Sequence, residues 1–316
     1  VVEMEWPVIV EEEFKAVLRE LRENALSHDD DFHVIVDGPE GSGKSTLSLA
    51  IARELDPNFD LRETMYWDER QIPQALFNMA VMPEGSVHVF DEAQNFFHRR
   101  MHQSWRNITL DSAVKTGRAR KQFIIYNTPA FWDLDAVLRR AGLIVHVVGR
   151  GTAMAFFDVF KTRLVRATEE ARKRIKVQTF EDILQYWKER QDEIGKLDYY
   201  VFHWKGKIPD EYRRHKEFNT TKFFIWKALE AADRYNAPFK VPKWILNNPE
   251  KMKILEETVR EYNKWREMRG LKPLQISLPT SSISNEEFIA DKITPSEAVG
   301  KITDGLAPPA LSLRRW

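Results

Sequence analysis

The sequence predicts an α/β fold: a mainly parallel sheet with helices on both faces, followed by a mostly helical C-terminal region. Three observations predict it. Short apolar runs alternate with amphipathic stretches between residues 32 and 165, the pattern of strands joined by right-handed crossover helices. A glycine-rich turn, GPEGSGKST, stands between the first of these runs and a helix-forming segment. Beyond residue 165 the pattern turns mostly helical.

Taken in order, residues 11–26 carry Phe14, Val17, Leu18 and Leu21 at helical spacing and read as an amphipathic helix. FHVIVDG is a buried strand ending in a turn. SGKSTLSLAIARELD opens a helix that stops near Asp56 and Pro57. TMYW at 64–67 is a short strand, and Gln71 to Met82 is helical with Pro73 in its first turn. SVHVFDEA, QFIIYNTP and LIVHVVG follow as strands, with a basic helix-prone stretch before the second and a short helix, DLDAVLRRA, before the third. Residues 153–160 (AMAFFDVF) add a further strand. Ala167 to Lys176, Phe180 to Gly195, Phe223 to Tyr235 and Pro249 to Arg269 read as helices, with YYVFHW as one more strand. The expected organisation is a helical segment at 1–31, a core at 32–165, a mostly helical accessory region at 166–275 and an extended tail at 276–316.

Composition excludes several classes. The 316 residues hold 48 Lys plus Arg against 48 Asp plus Glu, and no cysteine. A disulfide scaffold, a cysteine nucleophile and thiolate metal sites are therefore out. No apolar run approaches the ~18–20 residues of a membrane span. The acidic start VVEMEWPVIVEEEF lacks the features of a secretion signal, so an intracellular protein is expected, whether cell-, virus- or plasmid-encoded. A neutral chain meets nucleic acid only through local basic patches.

The turn at 38–46 fits G-x-x-x-x-G-K-[ST], with Gly38, Gly43, Lys44 and Ser45 at the fixed positions. The glycines let the backbone from Gly38 through Pro39, Glu40, Gly41, Ser42 and Gly43 to Thr46 wrap a phosphate with its N–H groups, Pro39 alone having none to give. The helix N-terminus adds a favourable dipole. Lys44 then reaches the β- and γ-phosphates of ATP, and the Ser45 hydroxyl ligates Mg²⁺. Asp91 and Glu92 end a hydrophobic strand 47 residues after Lys44, counted from Asp91. Asp91 suits the Mg²⁺ shell and Glu92 suits a general base that activates water. Asn127, at the tip of the next strand, is placed to sense the γ-phosphate or orient the water.

These features together resemble the ATPases that carry a catalytic glutamate beside the Walker B aspartate. GRARKQFIIYNTPAFWDLDAVLRRAGLIVHVVGR and DEAQNFF are similar to the FtsK/HerA-type DNA translocases and to virus packaging, conjugation and zonula occludens toxin-type ATPases. The resemblance covers roughly residues 32–160 and departs at Asn127, where many translocases carry glutamine. It implies a P-loop NTPase three-layer sandwich, Mg²⁺ and ATP, a homo-oligomeric ring (a hexamer in many relatives), a DNA partner and a trans-acting arginine. Candidates for the arginine are Arg118, Arg120 and, on the helix after the Asn127 strand, Arg139 and Arg140.

Two stretches carry local positive charge. Residues 99–121 hold seven Lys or Arg against one acid, and residues 161–176 hold seven against two. Such runs fit phosphate contacts, a solvated helix face or a subunit interface equally. YYVFHWKGKIPDEYRRHKEF is dense in aromatic and basic residues, which suits core packing, base stacking or partner docking. Three functions stay open at this level: a motor hydrolysing ATP on nucleic acid, a nucleotide-gated assembly switch, and a P-loop nucleoside or nucleotide kinase.

Overall fold

In the computed structural model an eight-stranded sheet runs through the molecule in the order β1-β8-β7-β6-β2-β5-β4-β3. The structure describes residues 8–28, 30–97, 120–134, 141–196, 198–235, 237, 239–241, 245, 248–274 and 276–277. The strands are β1 (Val8–Val10), β2 (Phe32–Asp37), β3 (Met65–Tyr66), β4 (Val87–Phe90), β5 (Phe123–Thr128), β6 (Leu143–Gly149), β7 (Thr152–Phe157) and β8 (Tyr200–Gly206). A small separate pairing joins β9 (Phe239–Lys240) to β10 (Ile276–Ser277).

The five strands from β6 to β3 are parallel, and the three beyond β6 are antiparallel to their neighbours. The sheet is thus mainly parallel, as expected, and the strand at 152–157 runs antiparallel to β6. Only Arg150 and Gly151 separate it from β6, with Gly151 at φ 89°. So short a connection closes an antiparallel hairpin, whereas a parallel return needs a crossover of a dozen or more residues. The strand also stops at Phe157, and Asp158 begins a helix.

Helices cover both faces. α1 (Glu12–Ser27) and α2 (Lys44–Leu55) lie on one; α4 (Ile72–Val81), α5 (Gln94–Phe97), α6 (Asp158–Arg174) and α7 (Phe180–Glu189) lie on the other, while α3 (Leu61–Thr64) precedes β3. Strand residues alternate between the two cores: Val34 and Val36 face α1 and α2, while Ile35 faces the opposite side. The period of two along a pleated strand dictates this division. After α8 (Gln191–Ile194) and β8, α9 (Asp210–Arg234) and α10 (Pro249–Glu267) form a helical pair. Trp226 and Trp265 pack on Tyr262 between them. The predicted helix at 223–235 is the C-terminal part of the longer α9.

The sheet runs through the boundaries drawn at residues 31 and 165. β1 and β8 come from outside them, and both join the same sheet. Phe202 of β8 is fully buried and stacks on Phe14 of α1 at 3.7 Å between ring centroids. Phe202→Ala should therefore lower the unfolding free energy by about 3–5 kcal/mol in a urea titration. A loss under about 1 kcal/mol would place β8 outside the core.

His88, in the middle of β4, is buried beside the Tyr66 hydroxyl at 3.1 Å. Burial pushes its pKa down to about 4. An unfolded histidine near 6.5 binds the proton more readily, so stability is full above pH 6.5 and falls as the pH drops toward 4. The expected cost is up to about 3 kcal/mol by pH 4. His88→Gln should flatten that part of the stability profile, whatever it does to the absolute value.

Candidate functional site

β2 lies between β6 and β5, and β4 lies on the far side of β5. The tips of β2, β5 and β4 therefore open on one end of the sheet, side by side. The loop after β2 leads into α2, and Gly43 caps that helix at φ 102°. A side chain is excluded there twice: the left-handed backbone disfavours it, and a Cβ would sit 2.5 Å from the Trp204 ring. Gly38 is equally constrained, with φ 140° and a Cβ position 2.5 Å from the Val147 carbonyl oxygen. Glycine thus sets the path of the loop into the N-terminal end of α2, where the first N–H groups of a helix have no partner within it.

Lys44 donates to the Gly38 and Pro39 carbonyl oxygens at 2.7 and 2.8 Å, folded over its own loop. Burial lowers its pKa, opposed by the charges of Glu92, Asp37, Asp91 and Glu40. The next residue, Ser45, donates from its hydroxyl to Asp91 Oδ1 at 3.0 Å. The lysine turn and the acidic tip of β4 are therefore within one hydrogen bond of each other.

Asp91 is buried and fully engaged. Oδ1 also accepts from the Asn127 amide at 2.9 Å, and Oδ2 accepts from the Tyr212 hydroxyl at 2.8 Å and from Lys216 Nζ at 3.2 Å. Asn127 in turn accepts from the Ser48 hydroxyl on α2. Both ends of its amide are thus committed to holding α2, β5 and β4 together. Burial, with the Asp91 charge adding to it, raises the Tyr212 phenol pKa, so it stays a donor.

Glu92 follows in the left-handed region at φ 57°, a conformation that costs energy for a residue with a Cβ. The adjacent Ala93 N–H is pinned to the Asn127 carbonyl at 2.6 Å, and Gln94 donates to Glu92 Oε2 at 2.8 Å. The bent backbone lets Asp91 turn inward while Glu92 stays partly exposed and lines the cavity.

The cavity over this site measures about 870 Å³. From the loop, Glu40, Gly41, Gly43, Lys44, Ser45 and Thr46 line it, joined by Asp91, Glu92 and Asn127. Gly38 and Pro39 serve through their carbonyls on Lys44, and the Ser42 hydroxyl is buried without a partner. Several lining residues are ones that sequence reasoning did not place at a site: Arg150, Trp204, Lys205, Lys207, Arg213 and Lys216. The signal for five of them was the aromatic and basic segment at 199–218, whose aromatics Phe202, Trp204 and Tyr212 are buried as core packing required. Arg150 donates to the Gly41 carbonyl oxygen at 3.3 Å.

Arg118, Arg139 and Arg140, and nearly all of the basic stretch at 99–121, lie outside the described residues. Arg120 donates to the Met82 carbonyl at 2.8 Å and does not line the cavity. On α6, Arg163 and Arg172 donate to backbone carbonyls and Arg166 to Glu170.

The donor set fits magnesium. A hydroxyl and a carboxylate 3.0 Å apart are hard oxygen ligands, and Mg²⁺ is held by one or two such groups with waters and substrate phosphates making up the rest. Among the described residues no group of three or more His, Asp or Glu could hold a metal by itself.

No known protein-family profile matches the chain, and no curated protein matches it. Solved structures do show likeness. The genome packaging NTPase B204 of Sulfolobus turreted icosahedral virus 2, in complex with ATP-γS, is 15% identical over 41% of this chain and 92% of its own, with a TM-score of 0.31. The N-terminal domain of zonular occludens toxin from Neisseria meningitidis is 20% identical over 40% of this chain and 82% of its own, with a TM-score of 0.29. RuvB from Thermotoga maritima is 17% identical over 60% of this chain and 74% of its own, with a TM-score of 0.31. Likeness at this level assigns no activity. The fold, by its own strand order and loop geometry, is that of a P-loop NTPase.

Tyr212→Phe removes a hydrogen bond to a buried carboxylate and should cost about 1–3 kcal/mol in chemical unfolding. In an Asp91→Asn background the same change should cost distinctly less. Equal costs in the two backgrounds would mean that the hydroxyl and the carboxylate do not interact.

Proposed function

We propose that the chain hydrolyses ATP with Mg²⁺ and uses the energy as a motor on nucleic acid, assembled as a homo-oligomeric ring. One observation carries the hydrolytic part: Ser45 and Asp91 meet at 3.0 Å, with Lys44 and Glu92 on the same cavity. The glycine loop takes the phosphates on its N–H groups, and Lys44 swings from its loop carbonyls onto the β- and γ-oxygens. Ser45 and Asp91 would hold a magnesium ion, which would supply charge neutralisation. Glu92 takes the proton of the attacking water, aided by its exposure to the cavity. Asn127 keeps Asp91 turned toward Ser45.

A ring with a trans arginine from Arg139 or Arg140, and DNA as the partner, extends this reading. The support is the basic composition of 99–121 and the resemblance of the sequence. A nucleotide-gated switch is the second reading, favoured by the contacts of Tyr212 and Lys216, from the helical C-terminal region, with Asp91. A kinase needs no glutamate at the β4 tip, and nothing in the site's geometry favours it.

Glu92→Gln should retain ATP binding and lower turnover by about 10²–10⁴-fold, as loss of a general base does. Lys44→Ala should weaken both. Unchanged phosphate release by Glu92→Gln removes the mechanism. Duplex DNA should stimulate the ATPase rate at low salt and lose that effect as salt rises; a rate indifferent to DNA and RNA throughout the titration favours the switch.

A further inference from the structure

Six cations line the cavity (Lys44, Arg150, Lys205, Lys207, Arg213 and Lys216) against three carboxylates (Glu40, Asp91 and Glu92). That surplus suits a polyanion. Four of the six lie between residues 205 and 216, on β8, the connection after it and the start of α9. α9 is fastened at several points to the segment around β3, the edge strand of the sheet. Arg62 pairs with Glu211, Trp67 packs on His215 at 4.6 Å, and Arg70 lies over the Phe223 and Trp226 rings at 5.6 and 5.3 Å. Together with the Tyr212 hydrogen bond to Asp91, these contacts set the first turns of α9 beside the cavity.

Lys216 is the cation on α9 that reaches the reacting end of the cavity. Its ammonium sits 3.2 Å from Asp91 Oδ2 and 3.1 Å from the Tyr212 hydroxyl. Asp91 Oδ1 is in turn 3.0 Å from the Ser45 hydroxyl. The Lys216 side chain remains 38% exposed, so the ammonium has room to move, whereas that of Asp91 is 2% exposed. A magnesium ion beside Asp91 would repel a neighbouring ammonium, and a triphosphate in the same cavity would offer the displaced lysine an anionic partner.

Resting on the nucleotide reading above, we propose that Lys216 is a phosphate-contacting residue that binds the terminal phosphate of the nucleoside triphosphate from within the same chain. In the nucleotide-free arrangement it neutralises Asp91; with Mg-triphosphate bound it exchanges that partner for the γ-phosphate oxygens. The C-terminal region thereby distinguishes triphosphate from diphosphate directly.

The test is calorimetric titration of the full chain with Mg-ATPγS and Mg-ADP, in wild type, Lys216→Met and Lys216→Arg. Loss of one charge-assisted contact is worth about tenfold in affinity. Lys216→Met should weaken ATPγS by about tenfold or more and leave ADP within about twofold, with Lys216→Arg restoring most of the difference. A parallel loss for both nucleotides, or no loss for either, overturns the assignment. If Lys216→Met does not fold, Lys216→Gln reads the same ratio, since its amide still donates to Asp91. A wild-type chain that binds neither nucleotide, or binds them no differently from Lys44→Ala, sinks the nucleotide reading itself. Binding in wild type with an unaltered ratio in the variants sinks only the role of Lys216.

Discussion

The buried carboxylate of Asp91 is the constraint around which this molecule is organised. An isolated carboxylate in that position would be strongly disfavoured, because burial strips its hydration. Four donors replace the lost water: Ser45 on α2, Asn127 on β5, and Tyr212 and Lys216 on α9. They come from three elements that are distant in sequence, so satisfying one anion fixes the loop helix, the neighbouring strand tip and the C-terminal helix relative to one another. Removing any one donor leaves the others closer to an unpaired buried charge, which is the costly case for such networks.

The sheet order makes that convergence possible. β5 separates the strands bearing the glycine loop and the acidic pair, and its tip residue Asn127 spans the gap. Its amide accepts from Ser48 on one side and donates to Asp91 on the other. The left-handed backbone at Glu92 then solves a second geometric problem. Adjacent strand residues point to opposite faces, so two neighbouring carboxylates serve one cavity only if the chain bends between them. The strain is local and is offset by the Ala93 N–H bond to the Asn127 carbonyl.

What the sequence reveals here is what is local. The loop announces itself because glycine spacing, lysine and hydroxyl are consecutive, and the acidic pair because it ends an apolar run. The central strands are legible for the same reason: FHVIVD and FIIYNT are continuous apolar runs, as strands buried on both faces must be. The antiparallel half of the sheet was less legible. Its hairpin signal, Gly149-Arg150-Gly151, was present, but it sat inside a pattern otherwise made of crossovers. The placement of β8 and α9 could not be read at all, because it depends on side-chain contacts between residues more than a hundred positions apart, such as Tyr212 with Asp91. The aromatic and basic residues at 199–218 carried both answers at once. Phe202, Trp204 and Tyr212 became core, while the lysines and arginines between them turned to the cavity.

That division of labour has a consequence for how the accessory region acts. A segment attached only through a flexible linker would report on the nucleotide indirectly. Here Trp204 packs so closely on Gly43 that the loop tolerates no side chain beneath it. Beside it, where the Trp204 N–H donates to the Gly151 carbonyl oxygen at 3.0 Å, Arg150 of the β6–β7 hairpin reaches the Gly41 carbonyl. The loop is thus held between the antiparallel strands and α2, and α9 is held against the acidic tip. The Asp91 contacts thus fall on the first turns of a helix of 25 residues whose later part packs against α10.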